Sequence, residues 1–371
     1  MSLNPEKLES IAAIAATHSA DVDVGTFPKL ALDAMRSAGM LGLVSAKEVG
    51  GGGAGLAEAS IVVERLAREC ASTAMVVCMH YCAVAVIEKH GSLDVRKAVA
   101  AGTHLSTLAF SEFGSRSHFW APVGAAKKDG NDVLLNARKS FITSGHHADS
   151  FVWTSKPLAG TEASTLWLVP RTTKGLRLTE AAFDGLGLRG NDSVPATAED
   201  ARIPASAMLG DDGAGFGIMM GVVLPWFNVL CASVSAGLME AATTRTAAHA
   251  GGATFQHVGQ TLAELPTIRA YIARMRIGTD QVKALIGDTL AAMGANRADT
   301  MLRVLESKAA AGEAATQVTD LAMRVCGGAA FRKDVGIERI FRDARAALVM
   351  GPTTDVLYDF IGKAVCGLPL F

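Results

Sequence analysis

The chain has 371 residues, half of them hydrophobic and 19% charged, which is enough apolar material for a large folded core and too much for a disordered chain. Lys and Arg number 35 against 36 Asp and Glu, a net charge of −1, so no basic surplus points to nucleic acid as a partner.

Residues 1–107 read as helical. Val63, Leu66, Ala67 and Cys70 fall on one face of a helix, with Glu64, Arg65, Arg68 and Glu69 on the other. The N-terminus lacks a basic segment followed by an apolar run, so no targeting sequence is expected and a cytoplasmic location is. Between 108 and 212 short β-prone runs take over: Val133-Leu134-Leu135, Phe151-Val152-Trp153-Thr154 and Thr165-Leu166-Trp167-Leu168-Val169. Turn signals at Asp129-Gly130-Asn131-Asp132 and Arg189-Gly190-Asn191-Asp192 separate them from their neighbours. From 213 to 371 the helical period returns, with Leu262, Leu265, Ile268, Ile272 and Met275 spaced three or four apart. The order helical, β, helical predicts an α+β protein with domains at 1–107, 108–212 and 213–371.

Two stretches carry no charged residue: Cys70 to Ile87, and Gly213 to Met239. Either is long enough to span a bilayer. Their polar residues, among them Ser72, Thr73, His80, Pro225 and Asn228, and the lack of flanking basic clusters favour central helices buried on all sides, with no membrane partner.

Single motifs are uninformative. Gly50, Gly52 and Gly55 spell G-x-G-x-x-G, but no strand precedes them and no acid follows at the required distance, so they read as a glycine loop between helices. His146 and His147 are adjacent and point different ways, and neither stands at metal spacing from a Cys or a carboxylate, so no metal is expected. No G-x-S-x-G elbow is present. Cys70, Cys78, Cys82, Cys231, Cys326 and Cys366 form no CxxC pair and read as reduced core residues.

Several longer segments, taken together and in order, resemble the acyl-CoA dehydrogenase family over nearly the whole chain. Val49-Gly50-Gly51 is similar to its Y-G-G, Val63 to Ala67 to its E-E-L-A, and Ser111 to Ser117 to its T-E-P-x-x-G-S. Lys139 to Gly145 resembles K-x-W-I-T-N-G, and Ile337 to Arg345 resembles P-x-E-R-x-x-R-D-A-R. The resemblance implies an N-terminal helical domain, a middle β-barrel-like domain and a C-terminal four-helix bundle, with FAD between barrel and bundle. Carried over by position, Ser111 meets the flavin ring, Phe141 stands for a tryptophan near it, Thr143 bonds near N5 and Ser117 approaches the pyrophosphate. Arg245, Gly327 and Gly328 would serve the cofactor of a neighbouring subunit, and Thr353 touches it from the last loop. A homo-oligomer follows, a dimer or, as is usual in the family, a homotetramer, with a small-molecule substrate of the acyl-CoA thioester kind.

The resemblance breaks at the catalytic base. The family's glutamate before G-T falls on Gly351, and the alternative position on the bundle helix falls on Phe227. A positioned general base contributes roughly 10²–10⁴-fold, so ordinary α,β-dehydrogenation is not expected. Asp355 and His118 are the candidate replacements, each read first as a surface or capping residue. The F-D-x-x-R positions hold Leu224, Pro225 and Asn228; the arginine–phenylalanine pair around the adenosine is Arg245 with Ala248; and Arg324 and Asp355 replace two glutamines. Three readings remain open: a flavin oxidoreductase using another base, a flavin-dependent monooxygenase on the same fold, and a non-catalytic subunit paired with an active relative.

Overall fold

A computed structural model describes residues 3–116, 118–160 and 164–370. It divides into two compact units, one of residues 1–59, 75–184 and 189–227, the other of 60–74, 185–188 and 228–371. The division cuts across the three composition zones, and three of its boundaries, at 59/60, 74/75 and 227/228, fall inside helices.

The chain opens with α1 (Pro5–Thr17), α2 (Ser19–Asp23) and α3 (Lys29–Ser37). Asn4 caps α1 through its side chain and Pro5 takes the first helical position, where a missing N–H costs nothing. The glycine-rich segment is a loop, as expected, between a 3₁₀ turn at Lys47–Val49 and α4 (Leu56–Ala67). Then come α5 (Ala71–His90) and α6 (Leu93–Ala100). His80 of α5 is fully buried, with Nε2 3.1 Å from the Leu41 carbonyl and the Ser106 N–H 3.2 Å from Nδ1. Burial pushes its imidazole down to about 4, so it is a neutral, structural histidine.

The middle region holds β1 (Ser106–Ala109), β2 (Ala125–Asp129), β3 (Asp132–Ile142), β4 (Ser150–Ser155), β5 (Thr165–Pro170), β6 (Leu176–Leu178), β7 (Val194–Pro204) and β8 (Met208–Leu209). They form two four-stranded sheets, ordered β1-β4-β5-β8 and β2-β3-β7-β6. All pairs are antiparallel except β1 with β4. Both sheets feed one core, with Val133, Leu135 and Ile203 from one and Phe151, Trp153 and Trp167 from the other. The three β-prone runs of the sequence lie in β3, β4 and β5, and Gly130-Asn131 turns β2 into β3.

After α7 (Gly215–Ile218) and a π-helical turn comes α8 (Leu224–Gly252). A short hairpin of β9 (Thr254–Phe255) and β10 (Gln260–Thr261) leads to α9 (Pro266–Gly294), α10 (Thr300–Cys326), α11 (Ile337–Ala344), α12 (Ala346–Val349) and α13 (Thr354–Val365). Helix α10 packs on α9, α11, α12 and α13. The helical period expected from Leu262 begins only at Pro266. Thr261 and Glu264 form a capping box around a 3₁₀ turn, and proline occupies the first position of α9. The α+β architecture of helical, sheet and helical parts is the one the sequence predicts.

Two helical segments, Ala71–His90 and Gly215–Gly252, are long and apolar enough to cross a membrane, yet 89% and 78% of their apolar windows are buried inside the protein. That burial identifies them as core helices. Five cysteines are buried, but Cys366 is exposed just past the end of α13, against the expectation that all six are core residues. Its apolar sequence neighbours, Val365 and Leu368, are themselves exposed, so local hydrophobicity misled there.

Candidate functional site

In the first unit, the segment after β1 runs back along β3. The Ser140 N–H donates to the Ser111 carbonyl at 2.9 Å, the Phe113 N–H donates to the Arg138 carbonyl at 3.1 Å, and Glu112 bridges to Lys139. This pairing brings Ser111 to the end of β3 that carries Phe141 and Thr143. Pairing of β3 with β7 is irregular between Lys139 and Ile142, and Phe141 has φ +53°. An aromatic residue there is an outlier, because its Cβ crowds the backbone in the left-handed region. The ring is not covered by its own unit: Phe141 is 69% exposed, whereas Ile142 beside it is fully buried. Thr143 is buried, with its hydroxyl 3.1 Å from that of Ser193. Ser111 is half-buried, and Ser117 lies outside the described residues. His118 is exposed, edge-on to Trp120 at 5.1 Å.

The adjacent histidines diverge as expected. His146 Nδ1 meets Asp192 Oδ1 at 2.8 Å and Nε2 meets the Thr179 carbonyl at 2.8 Å, while His147 stacks on Phe27 at 3.7 Å. Burial works against charging His146, but the Asp192 carboxylate and the carbonyl outweigh it and hold the imidazole above its ordinary value. Among the described residues no group of three or more His, Cys, Asp and Glu is placed to hold a metal ion.

In the second unit, Arg245 lies inside α8 with its guanidinium 3.7 Å from Glu69, whose carbonyl accepts from Arg339 of α11 at 3.4 Å. Burial, then the neighbouring Arg339, hold Arg245 below its ordinary value. Arg245 thus has an acidic partner in its own chain. Gly327 ends α10 with φ +53° and ψ −135°, a conformation open essentially to glycine alone, and both it and Gly328 are exposed. Thr353 caps α13, its hydroxyl oxygen accepting the Val356 N–H at 3.4 Å. Asp355 follows in the first turn, exposed, where a carboxylate complements the helix dipole.

The loop of Gly351 has an anchor that the sequence did not disclose. Lys308 of α10 is 1% exposed and donates to the carbonyls of Ala347 at 3.1 Å, Met350 at 3.0 Å and Pro352 at 2.8 Å. Its three protons match three acceptors on either side of Gly351, where the peptide to Pro352 is cis. A second anchor joins two motifs that the sequence presents separately. Asp343 accepts the Leu188 N–H at 2.7 Å, and Arg342 donates to the Leu186 carbonyl at 3.1 Å. A Cβ on Gly187 would meet the Arg342 main chain at 2.6 Å, so only glycine permits that approach.

Profiles of the acyl-CoA dehydrogenase N-terminal, middle and C-terminal domains match residues 9–103, 107–201 and 213–366. The chain belongs to the acyl-CoA dehydrogenase family. It is therefore an oxidoreductase of the flavoprotein class. Cyclohex-1-ene-1-carbonyl-CoA dehydrogenase of Syntrophus aciditrophicus is 27% identical to it over 347 residues, spanning 92% of this chain and 83% of its own. The human mitochondrial short-chain specific acyl-CoA dehydrogenase is 28% identical over 338 residues, spanning 89% and 81%. Butyryl-CoA dehydrogenase from Megasphaera elsdenii, at 21% identity, covers 99% of this chain and 100% of its own with a TM-score of 0.88, a likeness of fold.

Proposed function

We propose that this acyl-CoA dehydrogenase family member is an FAD-dependent oxidoreductase acting on a small acyl thioester without a carboxylate base on its last loop. The observation that carries the flavin reading is the end of β3. An aromatic ring left bare, on backbone that disfavours it, beside a buried threonine hydroxyl, suits one face of a planar heterocycle. Thr143 shares its hydroxyl with Ser193, yet a hydroxyl has one donor and two acceptor sites, so it can still bond a ring nitrogen. The same holds for Thr353, whose oxygen accepts at the helix cap and whose proton stays available.

Flavin, when bound, supplies the acceptor for a hydride leaving the substrate. Phe141 would pack along the ring, Thr143 and Ser111 would orient it, and Ser117 would approach the pyrophosphate. Arg245, Gly327 and Gly328 would serve a cofactor held by a second copy of the chain, which makes a homo-oligomer, dimer or tetramer, part of the proposal. The thioester class rests on what the relatives are named for, both acting on CoA thioesters.

At the base position Gly351 offers no side chain, and Asp355, though close in sequence, is exposed in the first turn of α13. Purified protein should show the visible bands of bound flavin, and anaerobic titration with saturated acyl-CoAs should bleach them slowly or not at all. Rapid bleaching would show that another acid has taken over the base's role, and Asp355→Asn would then be the variant to compare. Protein that takes up no FAD at high micromolar concentration would refute the flavin reading and favour a non-catalytic subunit. Oxygen-dependent conversion of substrate by the chemically reduced protein would favour a monooxygenase.

A further inference from the structure

Glu112 and Lys139 belong to the two motifs that carry Ser111, Ser117, Phe141 and Thr143, yet the flavin reading gives neither of them a task. Both are buried: Glu112 is 5% exposed and Lys139 is 0% exposed. One oxygen of the Glu112 carboxylate accepts the N–H groups of Val123 at 2.6 Å and Gly124 at 2.7 Å. The other oxygen accepts a hydrogen bond from Lys139 Nζ, which also donates to the carbonyl and hydroxyl of Thr154 at 2.8 and 2.7 Å. At the near end of the loop the Glu112 carbonyl accepts from the Ser115 N–H and hydroxyl, both at 3.3 Å. One residue thus closes both ends of the segment 113–122 and ties it to β3 and β4.

Resting on the flavin reading above, we propose that Glu112 is a positioning residue: its buried carboxylate, paired with Lys139, fixes the loop that carries Ser115 and His118 against the Phe141–Thr143 end of β3. A stability role alone explains this pair poorly. Removing two charges from water offsets most of their attraction, so a buried ion pair contributes little that apolar packing would not. What the pair does supply is a fixed register, because all three ammonium protons and both carboxylate oxygens are engaged. Burial pushes the Lys139 ammonium down to about 8, with Glu112 acting in the opposite direction, so the lysine is charged at neutral pH.

Glutamine at 112 keeps the shape and breaks the logic. If its oxygen takes the Val123 and Gly124 N–H groups, its NH₂ faces the lysine ammonium; turned over, its NH₂ faces those two N–H groups. Either way donors oppose donors. Val123→Pro is the second, milder variant, since it deletes one N–H from the clasp at an exposed position and leaves both charges paired.

The test titrates FAD into flavin-depleted full-length protein, recording affinity and the visible spectrum, and follows hydrogen exchange of residues 113–124 without flavin. Glu112→Gln should bind FAD about tenfold or more weakly and Val123→Pro by a smaller factor, since the loop must now be ordered on binding. Both should blur the fine structure of the flavin band and speed exchange in 113–124, and Val123→Pro should do so without lowering the melting temperature of the flavin-free protein. Should Glu112→Gln fail to fold, Val123→Pro alone carries the test. Variants that match the wild type in affinity and spectrum would overturn the positioning role while the flavin reading stands. Wild-type protein that binds no FAD would overturn both.

Discussion

Replacing Lys308 with methionine keeps the length of the side chain and removes the ammonium shared by the carbonyls of Ala347, Met350 and Pro352. Hydrogen bonds to a charged group contribute about 1.5–3 kcal/mol each, so the three together are worth about 5–9 kcal/mol. Against this stands the cost of burying the charge. Burial pushes Lys308 from 10.5 down to about 8, which at 1.36 kcal/mol per pH unit corresponds to about 3 kcal/mol. The difference predicts a loss of about 2–6 kcal/mol, concentrated in the loop rather than spread over the helices. The assay is urea unfolding together with hydrogen exchange, with amides of 347–353 exchanging faster in Lys308→Met. The pH dependence adds a signature. Between about 8 and 10.5 the unfolded chain holds more protons at this lysine than the folded one, so its contribution to stability rises with pH there, and Lys308→Met loses that rise. A variant within about 0.5 kcal/mol of the wild type, with unchanged exchange in the loop, would refute the reasoning.

Three further outcomes are expected. Glu240 accepts from Arg276 at 2.9 and 3.0 Å and from Lys283 at 2.5 Å, and these bonds, Arg276's first, hold its carboxyl down to about 2. Its stabilisation is complete above about pH 4.5 and is lost as pH falls towards 2, so Glu240→Gln should be less stable by about 1–2 kcal/mol near neutrality and converge with the wild type in acid; parallel acid-denaturation curves would contradict this. Gly187→Ala should cost about 2 kcal/mol or more, because its Cβ would overlap the Arg342 carbonyl, and a melting temperature equal to the wild type would show that the loop can move away. A thiol reagent should label one cysteine, Cys366, in the native protein and all six after denaturation; fast labelling of a second site would show that one of the five buried thiols is reachable.

The sequence by itself determined the order of helical, β and helical parts and the family. Apolar spacing and turn residues are local signals, so β3, β4 and β5 fall on the runs named for them, and several partial motifs in fixed order identify a family that no single motif would. The R-D-A-R segment that leads into Gly351 was also legible as a motif. The fate of the charges was not. Lys139, Lys308 and Glu112 look like any solvated charge in a string of letters, because their hydrogen-bond partners lie 11 to 44 residues away and a buried charge is tolerable only where those partners converge. Only the tertiary structure brings a carboxylate, two N–H groups and an ammonium to one point beneath a loop. Only the tertiary structure sets a lysine under Gly351, pairs Arg245 with Glu69, and leaves Phe141 bare while Ile142 is covered. Local pattern decides which backbone forms; where a charge or an aromatic ring ends up depends on long-range packing, which no window of the sequence contains.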